Sequence, residues 1–209
     1  MASLFAQQLK RLGACSKAIE WVENKEFGEA WASCEDSYWL FWLAEKLGVN
    51  LKLFIQIACR CTRLVLHLVP KGEERPRKAI EAVEGWLEGK VSVEEVKSIL
   101  DVMRNYCSIV EDKLANTAKK LTTTEAETWI NMAISATAQA TTLVAILTFI
   151  EASVADHTAR VIRAVMNAAW AASFVFTDSN YNNTRLQILS IIREVMTEPV
   201  REKLAALKV

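Results

Sequence analysis

Asp36-Ser-Tyr-Trp-Leu-Phe-Trp-Leu-Ala-Glu-Lys-Leu-Gly48 reads as one short helix with both ends marked. The Asp36 carboxylate can accept the free amides of a first turn. Gly48 can take the left-handed conformation that closes a helix. Between them Tyr38, Trp39, Phe41 and Trp42 fall within little more than one turn, so their rings point around most of the helix. Such a helix is either buried centrally, or it presents one of its rings to a partner.

The same punctuation runs outward in both directions. Toward the N-terminus, a helix over 3–12 stops at Gly13, and a second spans 15–23 with Ala18, Ile19 and Val22 at helical spacing. A short turn over 27–33 leads to Asp36. Downstream, Asn50 caps a helix over 51–69 that Pro70 terminates, and Pro76 sits at the first position of a helix closing near Gly89. Ser92-Val-Glu-Glu95 and Thr124-Glu-Ala-Glu127 are capping boxes. The first opens a helix reaching about residue 121, and the second opens an uncharged helix over 128–150. A further helix covers 155–176. Asp178-Ser-Asn-Tyr-Asn-Asn183 is a cluster of turn formers that reads as a loop. Helices over 184–197 and 200–207 follow, separated by Pro199.

Neither glycine nor proline occurs from Lys90 to Glu198, which fits long helices. No window alternates with period two, and no Asn-Gly or Asp-Gly hairpin signal occurs. The expected fold is all-α, a bundle of about nine or ten helices with short connections that favour antiparallel neighbours. A single domain over 1–209 is expected. In it an aromatic- and arginine-rich layer (1–90) packs on an alanine-rich bundle of long helices (91–209).

Composition excludes several classes. Hydrophobic residues make up 52% of the 209 and charged residues 24%, a globular mix. Twenty-five basic residues balance 25 acidic ones, so net charge predicts neither a nucleic-acid polymer nor an anionic membrane as partner. Five cysteines at irregular spacing make no disulfide framework and point to a reducing, cytoplasmic setting. No secretory signal is evident at the N-terminus. The segment 128–150 has the length of a membrane span, but Asn131, Gln139 and six hydroxyl residues would be costly in lipid. It reads as a buried helix rich in small residues.

Catalytic signals are weak. The only histidines are His67 and His157, and neither has a glutamate three residues before it. Cys59 and Cys61 on one helix point about 200° apart and cannot easily share an ion. No Gly-x-Ser-x-Gly elbow or phosphate loop occurs. A non-enzymatic protein without metal or cofactor is expected.

What remains is a binding surface. Trp39 and Trp42 are candidate contacts, because tryptophan and tyrosine dominate binding hot spots. Arg60 and Arg63 lie three apart and share a helix face. Arg75, Arg77 and Lys78 gather at the proline-started helix, whose free amides can hold an anion. The plainer reading makes the rings core and the charges an ion-pair network with Glu73 and Glu74.

The order Ala30-Trp31, Cys34, Trp39-Leu40, Trp42-Leu43-Ala44, Leu47-Gly48, then Ala58-Cys59-Arg60, then Arg75-Pro-Arg-Lys-Ala-Ile-Glu81, Trp86 and Gly89 resembles a family of helical immunity proteins. These occur in bacterial toxin–immunity loci and in phage genomes. The resemblance covers residues 28–90 and brings no catalytic residues. It implies a protein that neutralises a protein partner, either a toxin or, on the phage side, a host defence factor. The alternative is a sequestering protein for a small anionic ligand such as a signalling nucleotide. Its phosphate would lie on Arg60, Arg63, Arg75 or Arg77, and its base would stack on Trp39 or Trp42. The high hydrophobic fraction suggests a homodimer.

Overall fold

The computed structural model describes residues 2–64, 66–69, 71–117 and 178–207. Among them are eight α-helices and no strand. The helices are α1 (Leu4–Arg11), α2 (Ser16–Val22), α3 (Phe27–Ser33), α4 (Ser37–Lys46), α5 (Leu51–Leu64), α6 (Arg75–Leu87), α7 (Val93–Thr117) and α8 (Asp178–Ala206). A 3-10 turn, Leu66–Leu68, follows α5.

Local caps set most of these boundaries. Ser3 Oγ accepts from the Ala6 amide at 3.1 Å and starts α1. Asp36 accepts from the amides of Tyr38 and Trp39 at 2.8 and 3.3 Å. Asn50 Oδ1 accepts from Lys52 at 2.9 Å, and Ser92 Oγ accepts from Glu95 at 3.1 Å. Gly48 leaves α4 at φ 65°, a conformation that a Cβ would strain.

α5 is the central helix. Phe54, Ile55, Ile57, Ala58, Cys59, Cys61 and Thr62 are all buried in it. It packs on α6 and α8, while α6 packs on α7, and α3 and α4 lie against α8. Phe41 stacks on Phe54 at 5.9 Å, and Met103, Leu189, Ile192 and Met196 complete the fully buried set. Gly85 permits a close elbow between α6 and α7. A Cβ there would stand 2.5 Å from Val91 Cγ2.

Four boundaries differ from expectation. Residues 27–33 form a helix rather than a turn. Seven residues hold no stable helix alone, but this one is clamped from α8. The Trp31 indole donates to Thr197 Oγ1 at 2.9 Å. The Arg193 guanidinium donates to the carbonyls of Trp31 and Cys34 at 3.1 and 2.5 Å, satisfying groups left free where α3 ends.

α5 is described to Leu64, and Leu66–Leu68 form a 3-10 turn where the α-helix was expected to run on to 69. His67 Nδ1 lies 2.8 Å from the Leu64 carbonyl, so the ring supplies a donor where the helical ladder has stopped. A carbonyl only accepts, which places the hydrogen on Nδ1.

Residues 178–183 are helical rather than a loop, and α8 continues through Pro199 without a break. Pro199 is carried by burial on both sides, with Met196 and Val200 fully buried and Leu204 nearly so. The buried Gln8 amide also donates to the Leu204 carbonyl at 3.1 Å, tying α1 to the end of α8.

The second capping box, the uncharged stretch 128–150 and the expected helix over 155–176 lie outside the described residues. Among the described residues no helix is long and apolar enough to cross a membrane.

Candidate functional site

The aromatic helix splits its rings between core and surface. Phe41 is 1% exposed and Tyr38 is 51% exposed. Trp39 and Trp42 lie half-buried between these extremes. They stand on the wall of an open cavity of about 420 Å³. α1 contributes Phe5 and Leu9, α2 contributes Ala18, Trp21 and Val22, and α3 contributes Ala30 and Trp31, with Cys34 just beyond its end. α4 contributes Tyr38, Trp39, Leu40, Trp42, Leu43 and Glu45, and Gly13, Ala14 and Cys15 form the rim between α1 and α2.

Four tryptophans thus line one pocket. Trp21 meets Trp39 edge-to-face at 5.8 Å and 63°, an arrangement the ring quadrupoles favour. Lys25 Nζ sits 3.8 Å from the Trp21 ring centre and donates to the Trp21 carbonyl at 3.0 Å. On α4, Tyr38, Trp42 and Glu45 follow one another at four and then three residues, so they share one face. Among the described residues of the lining, Glu45 is the only charged one.

The basic candidates lie elsewhere, and none of Arg60, Arg63, Arg75, Arg77 or Lys78 lines the tryptophan pocket. Arg60 reaches from α5 to Glu194 on α8 at 2.6 Å. That hydrogen bond raises the Arg60 pKa and lowers that of Glu194. Arg63 grips Glu84 on α6 through two parallel bonds of 2.7 and 2.5 Å. Both arginines border an open depression of about 360 Å³ with Gln187, Ser190 and Ile191 of α8. The guanidiniums therefore serve as ties from α5 to its two neighbours.

The helix start at Arg75 already holds an anion of its own. Glu73 accepts from the Arg75 amide at 3.1 Å and from both sides of the Arg75 guanidinium fork. These bonds hold the Glu73 carboxyl below the usual carboxylate range. The other face of Arg75 stacks over Tyr106 at 4.6 Å. Lys78 pairs with Glu74 at 3.4 Å, while Arg77 is exposed. Structure thus brings Trp39 and Trp42 together with Tyr38 and Trp31 and with Trp21, a ring that sequence reasoning left out. It does not bring them together with the arginines.

Burial pushes the Cys61 thiol up to about 12 and raises Cys59 and Cys34 as well. Cys15 is exposed, on the pocket rim. Among the described residues no group of His, Cys, Asp or Glu is arranged to hold a metal ion. Comparison of the chain with protein families, with curated proteins and with solved structures finds no match.

Proposed function

We propose that this chain is a non-enzymatic binding protein that neutralises a protein partner, in the manner of immunity proteins or phage counter-defence inhibitors. The observation that carries the reading is the open pocket walled by Trp21, Trp31, Trp39 and Trp42. Binding energy concentrates where tryptophan and tyrosine line desolvated pockets into which a partner side chain can insert. A cavity of about 420 Å³ is large enough for such an anchor.

The anionic-ligand alternative gains less support from the geometry. It needs rings and guanidiniums on one ligand, and the two sets lie on different walls. The forks of Arg63 and Arg75 already hold carboxylates. A bundle of nine or ten helices, an aromatic layer on the alanine-rich bundle, a cytoplasmic setting and a homodimer remain parts of the proposal.

The test is recovery of the tagged chain from its native host, followed by native mass spectrometry. The reading expects one protein bound at fixed stoichiometry. A retained nucleotide with no protein would favour the alternative, and recovery of the chain alone would count against both.

A further inference from the structure

We infer that the group this pocket receives is cationic: a lysine or arginine side chain that the partner presents beside an apolar neighbour. The inference rests on reading the pocket as the contact site, and it concerns the chemistry of the anchor. Three observations lead there. The described lining is aromatic and aliphatic except for a few polar groups, and the single charge among those residues is the Glu45 carboxylate. No described cation is paired with Glu45, whereas Arg60, Arg63 and Arg75 all have carboxylate partners. The protein's own Lys25 already seats its ammonium 3.8 Å from the Trp21 ring centre, on an aromatic system continuous with the pocket.

The physical argument follows from the ring quadrupoles. An indole face is negative at its centre, so a cage of tryptophans attracts an ammonium or guanidinium more than a neutral group of the same shape. Glu45 lies on the same face of α4 as Tyr38 and Trp42, and it adds a full negative charge on that side. An anionic group would be repelled at Glu45. Arginine and lysine also carry apolar stems that such rings can cover while the charge faces a carboxylate. The cavity exceeds what one aliphatic stem needs, so an apolar neighbour enters with it.

The test uses three short capped peptides that differ at one position: leucine-lysine-phenylalanine, the same with norleucine, and the same with glutamate. Benzyltrimethylammonium serves as a free organic cation. Intrinsic tryptophan fluorescence reports binding, and protection of the exposed Cys15 thiol from a disulfide reagent reports occupancy of the pocket itself. The lysine peptide is expected to bind about tenfold tighter than the norleucine peptide, within the range of partly desolvated cation–π contacts. Glu45→Gln is expected to remove most of that preference. Ala18→Trp, which fills the cavity, and Trp42→Ala, which removes a wall without adding volume, are both expected to abolish protection.

Equal binding of lysine and norleucine peptides, with both still blocked by Ala18→Trp, overturns the cationic anchor and leaves the pocket reading standing. Binding of benzyltrimethylammonium with no binding of any peptide overturns the polypeptide source and assigns the site to a small molecule. Absence of Cys15 protection by every probe overturns the pocket as a site altogether.

Discussion

Replacing Arg193 with methionine removes a guanidinium and keeps most of its apolar stem. The cost can be worked from the contacts. Arg193 donates to the Trp31 carbonyl at 3.1 Å and to the Cys34 carbonyl at 2.5 Å, both at the end of the seven-residue α3. Hydrogen bonds with one charged partner contribute about 1.5–3 kcal/mol each. The side chain is half-exposed, so water can replace part of what is lost. A combined cost of about 2–3 kcal/mol follows. For a chain of this size each kcal/mol shifts Tm by roughly 2–4 °C, so a fall of about 5–10 °C is expected. Calorimetry and urea unfolding give the two values independently. Arg60→Met is the internal control, because the Arg60 and Glu194 side chains are 33% and 64% exposed. An exposed pair of that kind contributes less than about 1 kcal/mol. Hydrogen exchange in 27–33 should also quicken in the Arg193 variant, because α3 is too short to persist unclamped. If Arg193→Met costs no more than Arg60→Met, the clamp is not what makes α3 a helix.

Three further outcomes follow from the packing. Pro199→Ala should raise stability by about 1–2 kcal/mol in urea unfolding, because proline in a helix interior removes the bond to the carbonyl four residues back; a loss would mean that the ring itself is packed. Gly85→Ala should destabilise by about 1–2 kcal/mol despite alanine's better helix propensity, since the new Cβ meets Val91 Cγ2 at 2.5 Å. Adding Val91→Ala should recover most of that cost, and failure to do so would place the strain elsewhere. Glu73 has its pKa lowered by the hydrogen bonds from Arg75. Its stabilising contribution is therefore present above the ordinary value of 4.5 and lost as pH falls through its lower folded value. Stability measured against pH should show a shallower acid limb in Glu73→Gln, and an unchanged limb would contradict the assignment.

Helix ends were readable because their causes are local. Asp36, Asn50 and Ser92 each cap with an oxygen that acts two or three residues away. α3 was not readable for the opposite reason: its stabilising partner Thr197 lies 166 residues along the chain. Pro199 misled because a local breaker was overridden by the burial of Met196 and Val200 on either side. At the site, Trp39 and Trp42 were visible as candidates, and the spacing of Tyr38, Trp42 and Glu45 was there to be read as one face. Trp21 gave no such signal, since only the packing of α2 beside α4 brings its ring to Trp39. Arginine clustering suggested an anion site, but whether a guanidinium is spoken for depends on tertiary partners such as Glu194.

The most direct measurement is isothermal titration of the recovered partner into three chains: wild type, Ala18→Trp, and the double variant Arg60→Ala/Arg63→Ala. If the tryptophan pocket is the contact, the filled chain gives no binding heat, and the double arginine variant keeps a Kd within about threefold of wild type, a difference of about 0.65 kcal/mol. Full binding by the filled chain, with binding lost in the arginine variant, would move the contact from the pocket to the face of α5 and α8.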